Sequence, residues 1–262
     1  MPKVSTMSPD GCELCIRSVQ FQKGGGRPVP AKTPLVLLTG LLCDAELWRH
    51  QLDTLADIAE ISVPDLTVDD RLGPMAQRVL GEAPEMFALA GLSMGGYVAL
   101  EIMRQAPDRV TRLALLDTSA QPDSHEVTAH RQSLIDLTEK GQFKGVTPRL
   151  LPLLIHPDRL DDRALTEAVL GMAERVGKDA FLRQQRAIMG RPDSRRDLGL
   201  IHCPTLVLCG RQDERTPLAA SQEMAEKIPN ASLVVIEDCG HLSSMERPRA
   251  VTAVLRYWLS VN

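Results

Sequence analysis

Aromatic side chains are scarce in this 262-residue chain: two Trp, two Tyr and four Phe make up 3%. Any core must therefore be aliphatic, and the 44% hydrophobic content is enough to build one. Long apolar runs are missing as well. No stretch approaches the roughly 20 residues that a bilayer-spanning helix needs. The opening segment Met1-Pro2-Lys3-Val4-Ser5-Thr6-Met7-Ser8-Pro9 lacks the apolar region of a secretory signal, so a cytoplasmic protein is expected. Neither sign of charge dominates: 30 Lys and Arg against 34 Asp and Glu give a net −4. That balance does not draw the chain to nucleic acid or to an anionic membrane. The short basic patch at residues 191–196 is broken by Asp193 and reads as a solvated linker. Cysteine is present but forms no metal set. Cys12 and Cys15 make a C-x-x-C that no second pair or His pair completes. Cys43, Cys203, Cys209 and Cys239 sit in or beside strand-like segments, where a reduced thiol behaves as a small apolar side chain.

What is present is an alternation of strand and helix. Residues 16–21 read as an early strand, with a hairpin around Gly24-Gly25-Gly26. Pro34-Leu35-Val36-Leu37-Leu38-Thr39 is a run of the kind buried on both sheet faces. Asp44 caps a helix over 45–56, and 58–63 gives the next strand. A short helix follows at 74–81, then strands at 86–90 and 112–117. This order implies a mostly parallel sheet with helices on both faces. From 121 to 202 no strand is readable. Helical stretches are expected there at 126–140, 146–155 (broken by Pro148 and Pro152), 161–176 and 179–189. Strands return at 204–210 and 232–236, with helices at 218–228 and 249–259. The organisation is an α/β core in two parts, 1–120 and 203–262, with a helical cap inserted at 121–202.

Gly91-Leu92-Ser93-Met94-Gly95-Gly96 is a G-x-S-x-G placed between a strand and a helix, the arrangement of a nucleophile elbow. The turn is sharp, so the neighbours of Ser93 must be tiny. Serine needs a base within hydrogen-bond reach. Of the six histidines, only His241 lies in a loop just beyond a sheet strand, which is where groups gather for chemistry in an open α/β sheet. His50, His125, His130, His156 and His202 read as solvated or bonded to local partners. The base needs an acid to orient it. Asp213, past the penultimate strand, gives the chain order Ser, acid, His; Asp117 and Glu214 are its rivals. For an oxyanion, the candidate donors are the backbone N–H groups of Met94 and Leu41, the latter from the loop after the 34–39 strand.

These segments resemble the α/β-hydrolase superfamily from about residue 11 to 259. The likeness is carried by Leu37-Leu38-Thr39-Gly40-Leu41, the Gly91 to Gly96 motif, the segment from Cys203 to Asp213, and Gly240-His241-Leu242 with Glu246-Arg247-Pro248. The branch it resembles is that of capped carboxylesterases, enol-lactonases and cofactor-free haloperoxidases. The resemblance implies a cofactor-free serine hydrolase that acts on small-molecule carboxylic esters with Ser93, Asp213 and His241. The same three residues would also serve a lactonase, a thioesterase, a C–C hydrolase or an acyltransferase. A ligand-binding or signalling protein on the same scaffold is the remaining alternative. Two departures stand out. Thr39 occupies a position where relatives usually have His, and the loop Pro64-Asp65-Leu66-Thr67-Val68-Asp69-Asp70-Arg71 lacks the glycines that relatives often carry. A serine at the elbow argues against epoxide hydrolases and haloalkane dehalogenases, whose relatives have aspartate there.

Overall fold

The structure is a computed structural model that describes residues 32–260. The expected early strand at 16–21 and the Cys12/Cys15 pair lie outside the described residues. Six strands form one sheet: β1 (Thr33–Leu38), β2 (Ala59–Ser62), β3 (Phe87–Leu92), β4 (Val110–Leu116), β5 (Thr205–Gly210) and β6 (Ala231–Ile236). Their order is β2-β1-β3-β4-β5-β6 and every pairing is parallel.

The period of two along each strand explains why these runs are apolar throughout. Val36, Leu38, Phe87, Leu89, Leu113 and Leu115 point to one face. They meet Met75 and Val79 of α2 (Leu72–Glu82), Val98 and Ile102 of α3 (Met94–Gln105), and Met224 of α6 (Leu218–Lys227). Leu35, Leu37, Ala88, Ala90, Ala114 and Leu116 point to the other. There they meet Leu55 of α1 (Arg49–Leu55) and Val251 and Leu255 of α8 (Pro248–Ser260). Both faces are covered, so neither side of a strand can be polar. Leu and Val at these positions compensate for the missing aromatics.

Between β4 and β5 there is no strand among the described residues. Helix α4 (His125–Glu139) is capped by the Ser124 hydroxyl, which accepts from Val127 N–H. Residues Pro148–Leu153 form a 3-10 helix rather than an α-helix; Pro152, inside the segment, has no N–H to give the Pro148 carbonyl as an α-helix would require. Helix α5 (Arg163–Met189) is one run in projection but is interrupted at Gly177, whose φ of 76° no side-chain-bearing residue adopts easily. It thus corresponds to the two helices expected at 161–176 and 179–189. A four-residue helix, α7 (Ser243–Glu246), was not expected from periodicity and is too short to have shown any. No helix of the described residues is long and apolar enough to cross a membrane.

This segment is fastened to the core. Leu151, Ile155, Leu165, Val169 and Met172 join the core on the α1/α8 face, and Ala187 and Ile188 join it on the α2/α3 face. At its root is a buried ion cluster. Asp123 accepts from Arg131 at 2.7 Å and pairs with Arg191 at 2.8 Å. Arg131 also donates to Gln185 Oε1, and the Arg191 guanidinium stacks 4.3 Å from the Tyr97 ring centre in α3. Removing the carboxylate would leave two buried arginines facing each other. Asp123→Ala should lose about 3–5 kcal/mol of unfolding free energy in urea titration; a loss below about 1 kcal/mol would show that the cluster is solvated.

Candidate active site

Ser93, Asp213 and His241 follow strands β3, β5 and β6 at the carboxyl edge of the sheet, where an open α/β fold gathers its ligands. Ser93 follows β3 directly. Its backbone holds φ 55° and ψ −117°, a region that costs a non-glycine residue of order 1–3 kcal/mol. Three glycines make this turn possible. A methyl group on Gly91 would strike the Gly95 carbonyl, one on Gly95 the Leu38 carbonyl, and one on Gly96 the Thr118 side chain. The turn is pinned by Ser93 N–H donating to Leu116 O at 3.0 Å and by the Thr118 hydroxyl donating to Ser93 O at 2.7 Å.

His241 bridges the other two candidates. Its Nε2 lies 2.8 Å from Ser93 Oγ and its Nδ1 2.8 Å from Asp213 Oδ2. The imidazole is buried and the Asp213 side chain fully so. Asp213 also accepts from Arg215 N–H, Thr216 N–H and the Thr216 hydroxyl, at 2.8, 2.9 and 2.6 Å. Burial alone would raise its carboxyl. The opposing pull of His241, as charge and as hydrogen bond, and of Thr216 outweighs burial and holds it below the ordinary carboxylate value. A carboxylate so placed fixes the imidazole with Nδ1–H toward the acid and a free lone pair toward the serine.

The rivals separate clearly. Glu214 is exposed. Asp117 is wholly buried and close enough to Asp213 to feel its charge, but it serves two backbones. Its Oδ1 accepts from Gly210 N–H at 2.8 Å, and its Oδ2 accepts from Ser243 N–H at 3.3 Å and Ser243 Oγ–H at 2.5 Å. It therefore ties the loop after β5 to the segment after His241. The remaining histidines are elsewhere: His125, His130 and His202 are exposed, His50 bonds Thr252 Oγ1, and His156 Nδ1 accepts from Asp158 N–H.

The loop carrying His241 is held by a second carboxylate. Glu246 is fully buried and accepts from the N–H groups of Gly240, Leu242 and His156. Burial still pushes its carboxyl up. His241 N–H and Leu242 N–H both donate to Leu154 O, so the 3-10 segment at 148–153 leads straight into this loop. Gly240 has to be glycine here, because a Cβ would lie 2.9 Å from His156 N.

The two expected oxyanion donors are Met94, which follows Ser93 in the chain, and Leu41, which follows Gly40. Met94 opens α3, so its N–H has no acceptor within the helix. Leu41 N–H has no partner among the described residues. Gly40 presses on Ser93: a Cβ there would sit 3.4 Å from Ser93 Cβ. Thr39 and the 64–67 loop line a cavity of about 190 Å³ together with Cys43, Asp44 and Ala45. Burial pushes Cys43 up to about 12 and Cys209 to about 11, and raises Cys239. Among the described residues no group of three or more His, Cys, Asp or Glu is arranged to hold a metal ion.

Sequence reasoning missed the Thr216, Thr118, Ser243 and Glu246 contacts. The Asp213-x-x-Thr216 spacing, which lets a carboxylate accept from the third residue on, could have indicated the first. Thr118 and Ser243 meet Ser93 and Asp117 only through the fold, as Glu246 meets His156.

A family model described as the alpha/beta hydrolase family matches residues 35–254. The chain is 25% identical to a pimeloyl-[acyl-carrier protein] methyl ester esterase of Nitrosomonas europaea, over 88% of this chain and 95% of that one. Among solved structures it is similar to a thermophilic esterase from Thermogutta terrifontis, with TM-score 0.79, 30% identity and coverage of 87% and 89%. The enol-lactonase from Burkholderia xenovorans LB400 has the same fold, with TM-score 0.79, 23% identity and coverage of 90% and 94%.

The buried carboxylate of Asp117 gives this site a pH signature. Burial first, and the Asp213 charge second, push it well above the ordinary carboxylate value. A carboxyl raised in the folded state stabilises fully below its unfolded value of about 3.9, and that stability is lost as pH rises. Asp117→Asn lacks this loss. Its Tm should gain on that of the wild type as pH rises from about 4 to about 8. A Tm difference that stays constant over this range would mean that Asp117 does not titrate there.

Proposed function

The chain belongs to the alpha/beta hydrolase family and is a hydrolase; on that premise we propose that it cleaves small-molecule carboxylic esters through an acyl-enzyme on Ser93. The observation that carries this reading is the single imidazole of His241 within 2.8 Å of both Ser93 Oγ and Asp213 Oδ2.

His241 Nε2 takes the Ser93 hydroxyl proton as Oγ bonds to the ester carbonyl carbon. The carbonyl oxygen becomes an oxyanion facing the N–H groups of Leu41 and Met94. The ester C–O bond then breaks, and the departing alkoxide takes the proton from the imidazolium. Water repeats the cycle: His241 accepts its proton, the hydroxide attacks the acyl carbon, and Ser93 Oγ leaves and is reprotonated. Asp213 remains ionised and compensates the imidazolium charge. Its low carboxyl value suits that role.

The segment at 121–202 acts in this reading as a cap over the Ser93 edge. Apolar side chains from it, Phe143, Val146, Ala173 and Phe181, pack with Leu41 and Leu42 beside the serine. That favours an apolar group on the ester over a charged one. The methyl ester esterase and the thermophilic esterase among its relatives support the same bond type.

With p-nitrophenyl butyrate as substrate, Ser93→Ala should lose at least about 10⁴-fold in kcat. Asp213→Asn should lose about 10³–10⁴-fold, whereas Asp117→Asn stays within about tenfold. Retained turnover in Ser93→Ala would sink the mechanism, and an Asp117→Asn loss as deep as that of Asp213→Asn would reassign the acid.

A further inference from the structure

The loop that supplies Leu41 is not self-supporting. Cys43 N–H donates to Gly40 O at 3.2 Å, which closes a four-residue turn over 40–43. Leu42 occupies its third position with φ 58°, where glycine or asparagine is normally found. The sequence gives this turn no glycine at the position that would stabilise it. Some outside contact must hold it.

That contact comes from 142 residues away. Gln184, in the second half of α5, is completely buried, and its Oε1 accepts from Leu42 N–H at 3.0 Å. Its Nε2 donates to Leu66 O at 3.3 Å, which fixes the amide orientation. The other end of the Leu41–Leu42 peptide is held as well, by Cys43 Sγ–H at 3.5 Å from Leu41 O. With Cys43 pushed up to about 12 it keeps its proton and remains a donor. The peptide plane is thus gripped at both its N–H and its C=O. A flip of this plane would swing the adjoining Gly40–Leu41 peptide, whose N–H is the proposed oxyanion donor. Gly40 is already packed against Ser93, so the loop cannot shift without changing that approach.

We propose that Gln184 is a positioning residue for the oxyanion site, holding the strained Leu41–Leu42 turn so that Leu41 N–H faces the carbonyl oxygen of the substrate. The proposal rests on the acyl-enzyme reading of Ser93. It assigns a task in the chemical step to a residue of the helical segment that touches neither substrate nor the reacting atoms.

The test uses the full chain and p-nitrophenyl butyrate. Gln184→Met fills the same volume without polar atoms. It should lower kcat by roughly ten- to hundredfold with KM within about twofold, because a mispositioned donor weakens the transition state and not the ground state. The inhibition constant of a trifluoromethyl ketone, whose adduct with Ser93 presents an oxyanion, should rise by the same factor. Gln184→Glu keeps an acceptor for Leu42 N–H and should recover most of both losses at neutral pH. A residue that merely packed the helix would lower Tm without splitting kcat from KM and without rescue by Glu. If Gln184→Met does not fold, Gln184→Asn, one methylene too short to reach Leu42, takes its place with the same expected losses. A folded Met or Asn variant with wild-type kcat and wild-type inhibitor affinity overturns the proposal. Failure of the parent reading would look different: the wild-type enzyme itself would not be labelled at Ser93 by a fluorophosphonate.

Discussion

The backbone of Ser93 has to occupy φ 55° and ψ −117°, and the carboxyl edge of the sheet is organised around that strained residue. Strand β3 and helix α3 must approach so closely that no Cβ fits at Gly91 or Gly95. Thr118, at the end of the neighbouring strand, fills the space that Gly96 leaves and donates to Ser93 O. Strain of this kind persists only where surrounding contacts over-determine it. The close packing of six parallel strands under α2 and α3 supplies that rigidity.

Three buried carboxylates lie at this edge, Asp117 and Asp213 in loops and Glu246 at the end of α7, and each solves a different problem. Asp213 is stabilised as an anion by His241 and by the donors of its own turn. Asp117 has only backbone and hydroxyl donors and sits in the field of Asp213, so its charge is disfavoured. Glu246 collects three N–H groups from two chain segments. Buried N–H groups in irregular loops would otherwise be left unpaired, at a cost of about 1–3 kcal/mol each. The carboxylates therefore do for these N–H groups what a sheet ladder does elsewhere, and they allow two loops to lie close together with the buried His241 imidazole held between Ser93 and Asp213.

What could be read from the sequence follows from the range of the interactions. Strands β1, β3 and β5 are legible because a strand covered on both faces is apolar along nearly its whole length, and β4 because residues 113–116 are so. The Gly91 to Gly96 elbow is legible because the residues that make it possible are neighbours of Ser93. Asp213 and His241 are legible as loop residues beyond strands in a fixed order. By contrast, nothing near Gln184 or Asp117 in the chain reveals their partners, Leu42 and Gly210, which lie 142 and 93 residues away. The helical segment was legible as helical, yet its attachment to the loops was not, since polar side chains in the middle of an amphipathic helix look like a solvated face. Pro148 and Pro152 had their expected effect, turning an apolar stretch into a 3-10 helix.

The contacts at Leu154 and Gln184 bear on how such a protein can diversify. The segment between β4 and β5 donates an acceptor carbonyl to the histidine loop and an acceptor amide to the turn beside the serine. It is therefore not a detachable module. Recombining it wholesale from a distant relative would import a new surface and at the same time discard two struts of the host. Side chains that neither strut uses, such as Phe143 and Val146, can be exchanged without touching either loop, whereas the backbone at 154–156 and the amide at 184 belong mechanically to the α/β core.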